Sequence, residues 1–358
     1  MAQFDPDQTR HYIVSSLRFE DLSVLAPVIG EHAMLRSRLT ERLKLDHPVI
    51  SAPMGFAGGG KLAAAVSAAG GLGLIGGGYG DECWLREQFT AAGNQRVGCG
   101  FITWSLKRQP HLLDIALDHA PGAMFLSFGD PEPFAGRIKQ AGVPFICQIQ
   151  TVADARRAID LGVDILVAQG AEAGGHGEKR ATFTLVPEIA DLISARAPET
   201  LLCAAGGVAD GRGLAAALSL GADGVLVGTR FWASEEALVH PNLQAAAVSA
   251  TGDHTLRSRV IDMVRGLDFW PARYDLRTLR SGATDRWHGK EAELQAVAEA
   301  EIARYADAAA KGDARTVSPI VGEGIGLIHN IAPAGTILRA MIAEAEDILR
   351  RKAPAWIA

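Results

Sequence analysis

The residues best able to do chemistry in this chain lie in one stretch, Gln169-Gly170-Ala171-Glu172-Ala173-Gly174-Gly175-His176-Gly177, which follows directly on the apolar run Val163-Asp164-Ile165-Leu166-Val167-Ala168. Histidine is the side chain whose ordinary proton affinity lies nearest neutral pH. Gly174 and Gly175 leave the neighbouring backbone bare enough for a flat ligand to approach closely. The pairing reads as an acid/base group held over a bound cofactor, with His176 as the catalytic candidate. A lone loop histidine is more often a surface residue. Catalysis is favoured here by its place just past the C-terminal end of a predicted strand, the edge at which repeating strand/helix proteins carry their sites. Glu172 is placed to orient the loop through backbone hydrogen bonds rather than to titrate.

Other candidates fall at equivalent edges. Ala205-Gly206-Gly207 ends a seventh predicted strand and Gly228-Thr229 an eighth. Either glycine signal alone is as well explained by a tight turn. As a pair, with a helix N-terminus beside them, they form a backbone cradle for phosphate that needs no lysine. Ala52-Pro53-Met54-Gly55 ends the first strand as a small-residue rim with one polarisable thioether, suited to the face of an aromatic cofactor, although Met54 by itself reads as core filler. Gln148 and Gln150 flank the fifth strand, and alternation points one of them to the barrel interior or mouth. His329, near Glu323 and Gly326, is as well read as a cap as a part of the mouth.

These edges need a scaffold, and the sequence supplies a repeating one. From about residue 48 short apolar runs alternate with alanine-rich amphipathic stretches. The predicted strands are 48–54, 71–77, 96–103, 122–128, 144–149, 163–169, 200–206 and 224–230. Their near-continuous apolar character implies burial on both faces. Helical patterns fill 58–69, 131–141, 151–161, 183–196 and 209–220, the last followed by Gly221 as a stop. Eight such units predict an α/β fold, a closed (β/α)8 TIM barrel. Residues 241–315 show no further clear strand and read as helical stretches at 241–249, 254–265 and 290–311 around an aromatic, arginine-rich segment, 268–288. The expected organisation is an N-terminal extension of unknown role over 1–37, a cofactor-binding barrel over 38–240, a helical substrate-binding insertion over 241–318, and a return segment with a C-terminal helix packed on the barrel over 319–358.

The 358 residues are 48% hydrophobic with a net charge of −6, which argues against nucleic acid and anionic membrane as partners. The four cysteines, Cys83, Cys99, Cys147 and Cys203, form no CxxC pair, and three lie inside predicted strands as small core residues. No metal-ligand spacing, GxSxG elbow or GxGxxG after a first strand occurs, so metallohydrolase, acyl-nucleophile and Rossmann readings fall away. The start of the chain, with Asp5, Asp7 and Arg10, lacks the basic-then-apolar order of a signal peptide. The expectation is a cytoplasmic protein, compatible with a homo-oligomer.

The motifs APMG (52–55), AQGAEAGGHGE (168–178), CAAGGVADGRGLAAALSLGADGVLVGTRF (203–231) and GEGIGLI (322–328) resemble those of the nitronate monooxygenases, formerly called 2-nitropropane dioxygenases. The resemblance covers about residues 38–350. It implies an FMN-binding barrel in which Ala52, Pro53, Met54 and Gly55 line the flavin, Gly174 and Gly175 lie near it, and Ala205, Gly206, Gly207, Gly228 and Thr229 hold the phosphate. His176 matches the catalytic histidine of that family. Gln148 stands where some relatives have lysine, and Gln169 where an acid is common, departures at flavin-contacting positions that bear on its redox potential. The implied reaction is oxidation of an alkyl nitronate or nitroalkane, such as propionate 3-nitronate, by O2 to a carbonyl compound and nitrite. NAD(P)H:quinone reductases and flavin-type enoyl-acyl-carrier-protein reductases resemble the same barrel, and Arg265, Arg273, Arg277 and Arg280 offer grips for a nucleotide phosphate or an acidic nitronate. The phosphate signature also resembles IMP dehydrogenase-like barrels, which use a catalytic cysteine on the loop after the sixth strand, where this chain has none. A non-catalytic FMN carrier is disfavoured by His176.

Overall fold

A computed structural model describes residues 35–357, so the expected N-terminal extension falls almost wholly outside the described residues. Eleven strands follow in chain order: β1 (Val49–Ser51), β2 (Leu74–Gly76), β3 (Gly98–Ile102), β4 (Met124–Ser127), β5 (Phe145–Ile149), β6 (Ile165–Gln169), β7 (Gly175–Gly177), β8 (Leu201–Ala205), β9 (Gly224–Val227), β10 (Thr255–Ser258) and β11 (Asp275–Leu279). Eight of them form one parallel sheet in the order β1-β9-β8-β6-β5-β4-β3-β2. A parallel bridge between Ile50 and Leu72 joins its two ends, and the sheet is a TIM barrel. The seventh and eighth barrel strands are therefore β8 and β9.

Alternation along the strands sorts the side chains into two layers. Ile50, Phe125, Ile146, Ile165, Val167, Leu201, Cys203 and Leu226 fill the barrel interior. Val49, Met124, Phe145, Cys147, Leu166, Leu202 and Val225 face the surrounding helices. Leu39 and Leu43, from a short helix at Arg38–Leu43 that the sequence patterns did not reveal, belong to the interior layer. That helix is tied to the barrel by ion pairs from Arg38 to Asp223 and Arg42 to Asp164. Continuing the interior parity by one more step brings Ala52, Gly100, Ser127, Gln148, Gln169, Ala205 and Gly228 to the C-terminal mouth. The mouth is thus floored by small residues and two amides.

The region after β9 departs from expectation. Residues 255–258 were expected to be helical, and 241–315 to contain no strand. Instead β10 pairs antiparallel with β11, and β11 pairs antiparallel with β7. Thr255, Leu256, Arg257 and Ser258 are paired one to one with Leu279, Thr278, Arg277 and Leu276, so cross-strand bonding overrides the helical reading and only Val260–Val264 remains helix. The expected helix at 290–311 is broken at Val297 into Glu291–Ala296 and Ala298–Ala310. The last long helix, Ala334–Asp347, packs against the helix Gly211–Ser219.

Candidate active site

A cavity of about 490 Å3 opens at the C-terminal mouth of the barrel, and the fourteen residues expected to serve catalysis or contact the flavin line it. Ala52, Pro53, Met54 and Gly55 leave β1; Gln148 and Gln169 end β5 and β6; Gly174, Gly175 and His176 follow β6; Ala205, Gly206 and Gly207 end β8; Gly228 and Thr229 end β9. The mouth fits a flat phosphate-bearing cofactor on two observations. A Cβ on Gly175 would meet nothing within 4 Å, and one on Gly228 would only approach Ala52 and Met54, so side chains there would occupy the cavity itself. Among the described residues, the backbone N–H groups of Gly206, Gly207, Gly228 and Thr229 donate to no protein acceptor. Unpaired N–H groups converging from two loops are what a phosphate requires. Gly206 and Gly207 hold φ of 97° and 78°, a left-handed turn that only glycine enters without cost.

His176 is buried, and its Nε2 lies 2.8 Å from Oδ2 of Asp262, a carboxylate whose side chain is 3% exposed. A carboxylate only accepts, so the shared proton resides on Nε2. The imidazole stacks on the indole of Trp270 at 3.4 Å between centroids and 11° between planes, and Phe128 meets it edge-on. Its backbone is fixed from both sides: His176 pairs with Leu276 across the β7–β11 ladder, and Gln169 Nε2 donates to its carbonyl at 3.1 Å. Burial lowers the pKa of His176 below the ordinary value, opposed by the hydrogen bond and charge of Asp262. The ring is a neutral base with a fixed orientation.

The family is decided by comparison. A model described as nitronate monooxygenase matches residues 36–95 and 102–344. The chain belongs to the nitronate monooxygenase family. It is similar to a nitronate monooxygenase of Neurospora crassa, 33% identical over 346 residues, with 85% of this chain and 90% of that one covered. It is also similar to the nitronate monooxygenase npaC of Metarhizium robertsii, 33% identical, with 88% and 98% covered. Among solved structures, FabK from Thermotoga maritima superposes with a TM-score of 0.77 at 29% identity, covering 90% of this chain and all of that one. This nitronate monooxygenase family member is an oxidoreductase, and its membership implies a flavin cofactor.

Several family-site details run against the sequence reading. Gln148 and Gln150 are two apart and therefore share a face; both donate to Oε1 of Gln169, at 3.1 and 2.8 Å, rather than one pointing away. The three amides form a relay that ends on the His176 carbonyl. Glu172 accepts from the backbone N–H and the hydroxyl of Thr182, ordering the loop onto the start of the helix Thr182–Arg196 as the sequence suggested. His329 is exposed and outside the cavity. Of the four arginines, Arg273 pairs with Asp154 and Glu178, Arg277 with Glu323, and Arg280 with Asp285. Only Arg265 of this set lines the cavity, and among the described residues it has no salt-bridge partner.

Sequence reasoning missed Asp262 and Trp270. The signal for Asp262 was a lone carboxylate inside Val260–Val264, whose every residue is buried. Trp270 also anchors an aromatic wall, donating from Nε1 to the Tyr79 hydroxyl at 2.9 Å and packing edge-on against Trp104 and Phe128. Burial raises the phenol pKa of Tyr79. Tyr274, edge-on to Phe128, is pushed up to about 12 by burial. Neither phenol is a base at neutral pH. Phe56, Leu238 and Phe269 complete an exposed apolar rim.

Proposed function

We propose that this enzyme is an FMN-dependent nitronate monooxygenase that converts alkyl nitronates, propionate 3-nitronate among them, with O2 to the carbonyl compound and nitrite. The observation that carries the reading is His176, a buried neutral base, facing the same cavity as a glycine cradle with four unpaired backbone N–H groups. Gly206, Gly207, Gly228 and Thr229 would hold the FMN phosphate, and Ala52, Pro53, Met54 and Gly55 would border the ring, with Gly174 and Gly175 beside it. Gln148 and Gln169 offer amides to the cofactor in place of a charge. FMN, when bound, supplies the electron acceptor for the substrate.

The rest belongs to the protein. His176 takes the α-proton of a neutral nitroalkane; toward a preformed nitronate, which has lost it, the ring only helps position the anion. Arg265 supplies the positive charge that draws a nitronate into the cavity. Trp270, Trp104 and Phe128 exclude water around the imidazole.

The test is to add a nitronate and a nicotinamide nucleotide separately to the purified holoenzyme. Oxygen uptake with stoichiometric nitrite release from propionate 3-nitronate, without added nucleotide, is the expected result. Anaerobic bleaching of the flavin by NADH or NADPH, with no nitrite from the nitronate, would overturn it in favour of a reductase, the reading that the likeness to FabK keeps in view.

A further inference from the structure

Asp262 lies 86 residues from His176 and on a different element, yet its Oδ2 accepts the only hydrogen bond His176's ring makes among the described residues. Its other oxygen, Oδ1, is buried without a partner. Four apolar neighbours, Val260, Ile261, Met263 and Val264, are buried with it. A carboxylate in such a helix, with one oxygen unmet, is a costly way to hold a neutral ring, since an amide or an apolar side chain would pack there with less desolvation. The arrangement becomes favourable when the imidazole is charged, because the pair is then carboxylate against imidazolium.

We propose that Asp262 is the positioning residue of the site: by holding the proton on Nε2 it leaves Nδ1 as the atom that accepts the substrate's α-proton. Nδ1 has no hydrogen-bond partner among the described residues, and His176 lines the cavity. In the step, the α-carbon's C–H bond breaks, its proton passes to Nδ1, and its electron pair moves into the nitro group to give the nitronate. The positive charge left on the ring is met by Asp262. Trp270 stacked on one face and Phe128 at the edge prevent the ring from flipping to exchange its nitrogens. The other charged groups whose fields reach the imidazole are Arg265 and Arg257, both of which oppose its protonation; Tyr79 and Tyr305 lie within the field of Asp262. Asp262 is thus the main charge favouring the imidazolium, and the enzyme's capacity for neutral nitroalkanes depends on it.

This inference rests on the proposed function, and the experiment separates the two. The holoenzyme, Asp262→Asn and His176→Asn are assayed across pH on nitroethane and on preformed ethyl nitronate. Asp262→Asn is expected to lower kcat/KM for nitroethane by about 100-fold or more, as removal of a ring-orienting carboxylate does elsewhere, and to move the acid limb to lower pH. On ethyl nitronate both variants should lose far less than on nitroethane, the general-base contribution being absent there. Equal losses on the two substrates would overturn the proposal and leave Asp262 a structural residue. Independently, 15N NMR of the wild-type imidazole is expected to show the Nε2–H tautomer; an Nδ1–H tautomer would overturn the proposal without any variant. If wild type turns over neither substrate, the proposed function falls, and the NMR spectrum still decides the pairing.

Discussion

At the scale of single residues, the site is set by what burial does to charge. Because burial holds the pKa of His176 below the ordinary 6.5, the ring stays neutral, and able to take a proton, to lower pH than a free histidine would. Turnover of a neutral nitroalkane should therefore hold its plateau through pH 6.5 and fall only as pH drops through the lower folded-state value. The same shift has a stability consequence. Below about 6.5 the unfolded chain binds a proton at this position that the folded chain does not, so stability is greatest above that pH and declines beneath it. His47, also lowered by burial, adds to it with the same sign. Urea unfolding of wild type and His176→Asn at pH 7.5 and 5.5 checks this: the variant should lose less stability between the two. Arg265→Met should raise KM for nitronates about tenfold, or ~1.4 kcal/mol, and abolish most of its dependence on salt; an unchanged KM would remove Arg265 from substrate capture. The residues reachable from sequence were those whose identity carries the role locally. Gly206 and Gly207 announce a left-handed turn by being glycine, and His176 by following a strand. Asp262 and Trp270 act through partners that only the folded chain brings near, and nothing adjacent to them in sequence names those partners.

At the scale of elements, the loop between β6 and β7 is packed too closely to take a side chain at Gly174. Gly174 sits against the backbone of Val321 and Gly322, and a Cβ there would come within 2.5 Å of the Gly322 nitrogen. Backbone cannot give way as a side chain tip can. Gly174→Ala should push the loop off the 321–322 segment, cutting flavin retained per chain and lowering the midpoint of thermal unfolding; retention of both would show that the segment yields. Arg257 and Arg277 hold the same loop from behind, donating to the carbonyl of Ala171. Burial pulls Arg257 down to about 10, still charged at neutral pH. The barrel strands were legible because each is an apolar run bounded by turns. β10 and β11 were not, because Thr255-Leu256-Arg257-Ser258 and Asp275-Leu276-Arg277-Thr278-Leu279 are short and half polar, and their pairing depends on β7, nearly a hundred residues upstream. A strand of three residues centred on His176 has no periodicity to read.

At the scale of the whole molecule, the barrel and the segment after β9 contribute unlike things. The interior parity of the strands delivers the small-residue mouth of the cavity, whereas Asp262, Arg265 and Trp270 all come from the later segment. The two are joined through β7, which leaves the barrel and takes its hydrogen bonds from β11. This seam gives the molecule an order of assembly. Apart from the closing pair β1–β9, the strand pairs of the barrel, β8–β9 at the glycine cradle among them, close over shorter loops than the β7–β11 ladder does, and long-range pairings are the slower to form. During refolding from urea with FMN present, flavin fluorescence should be quenched before nitroalkane turnover returns, with nitronate turnover recovering ahead of it. Simultaneous recovery of all three would mean that the seam forms with the barrel. A chain caught in that interval would be a chromophoric protein, yellow and folded at its centre, yet unable to deprotonate anything.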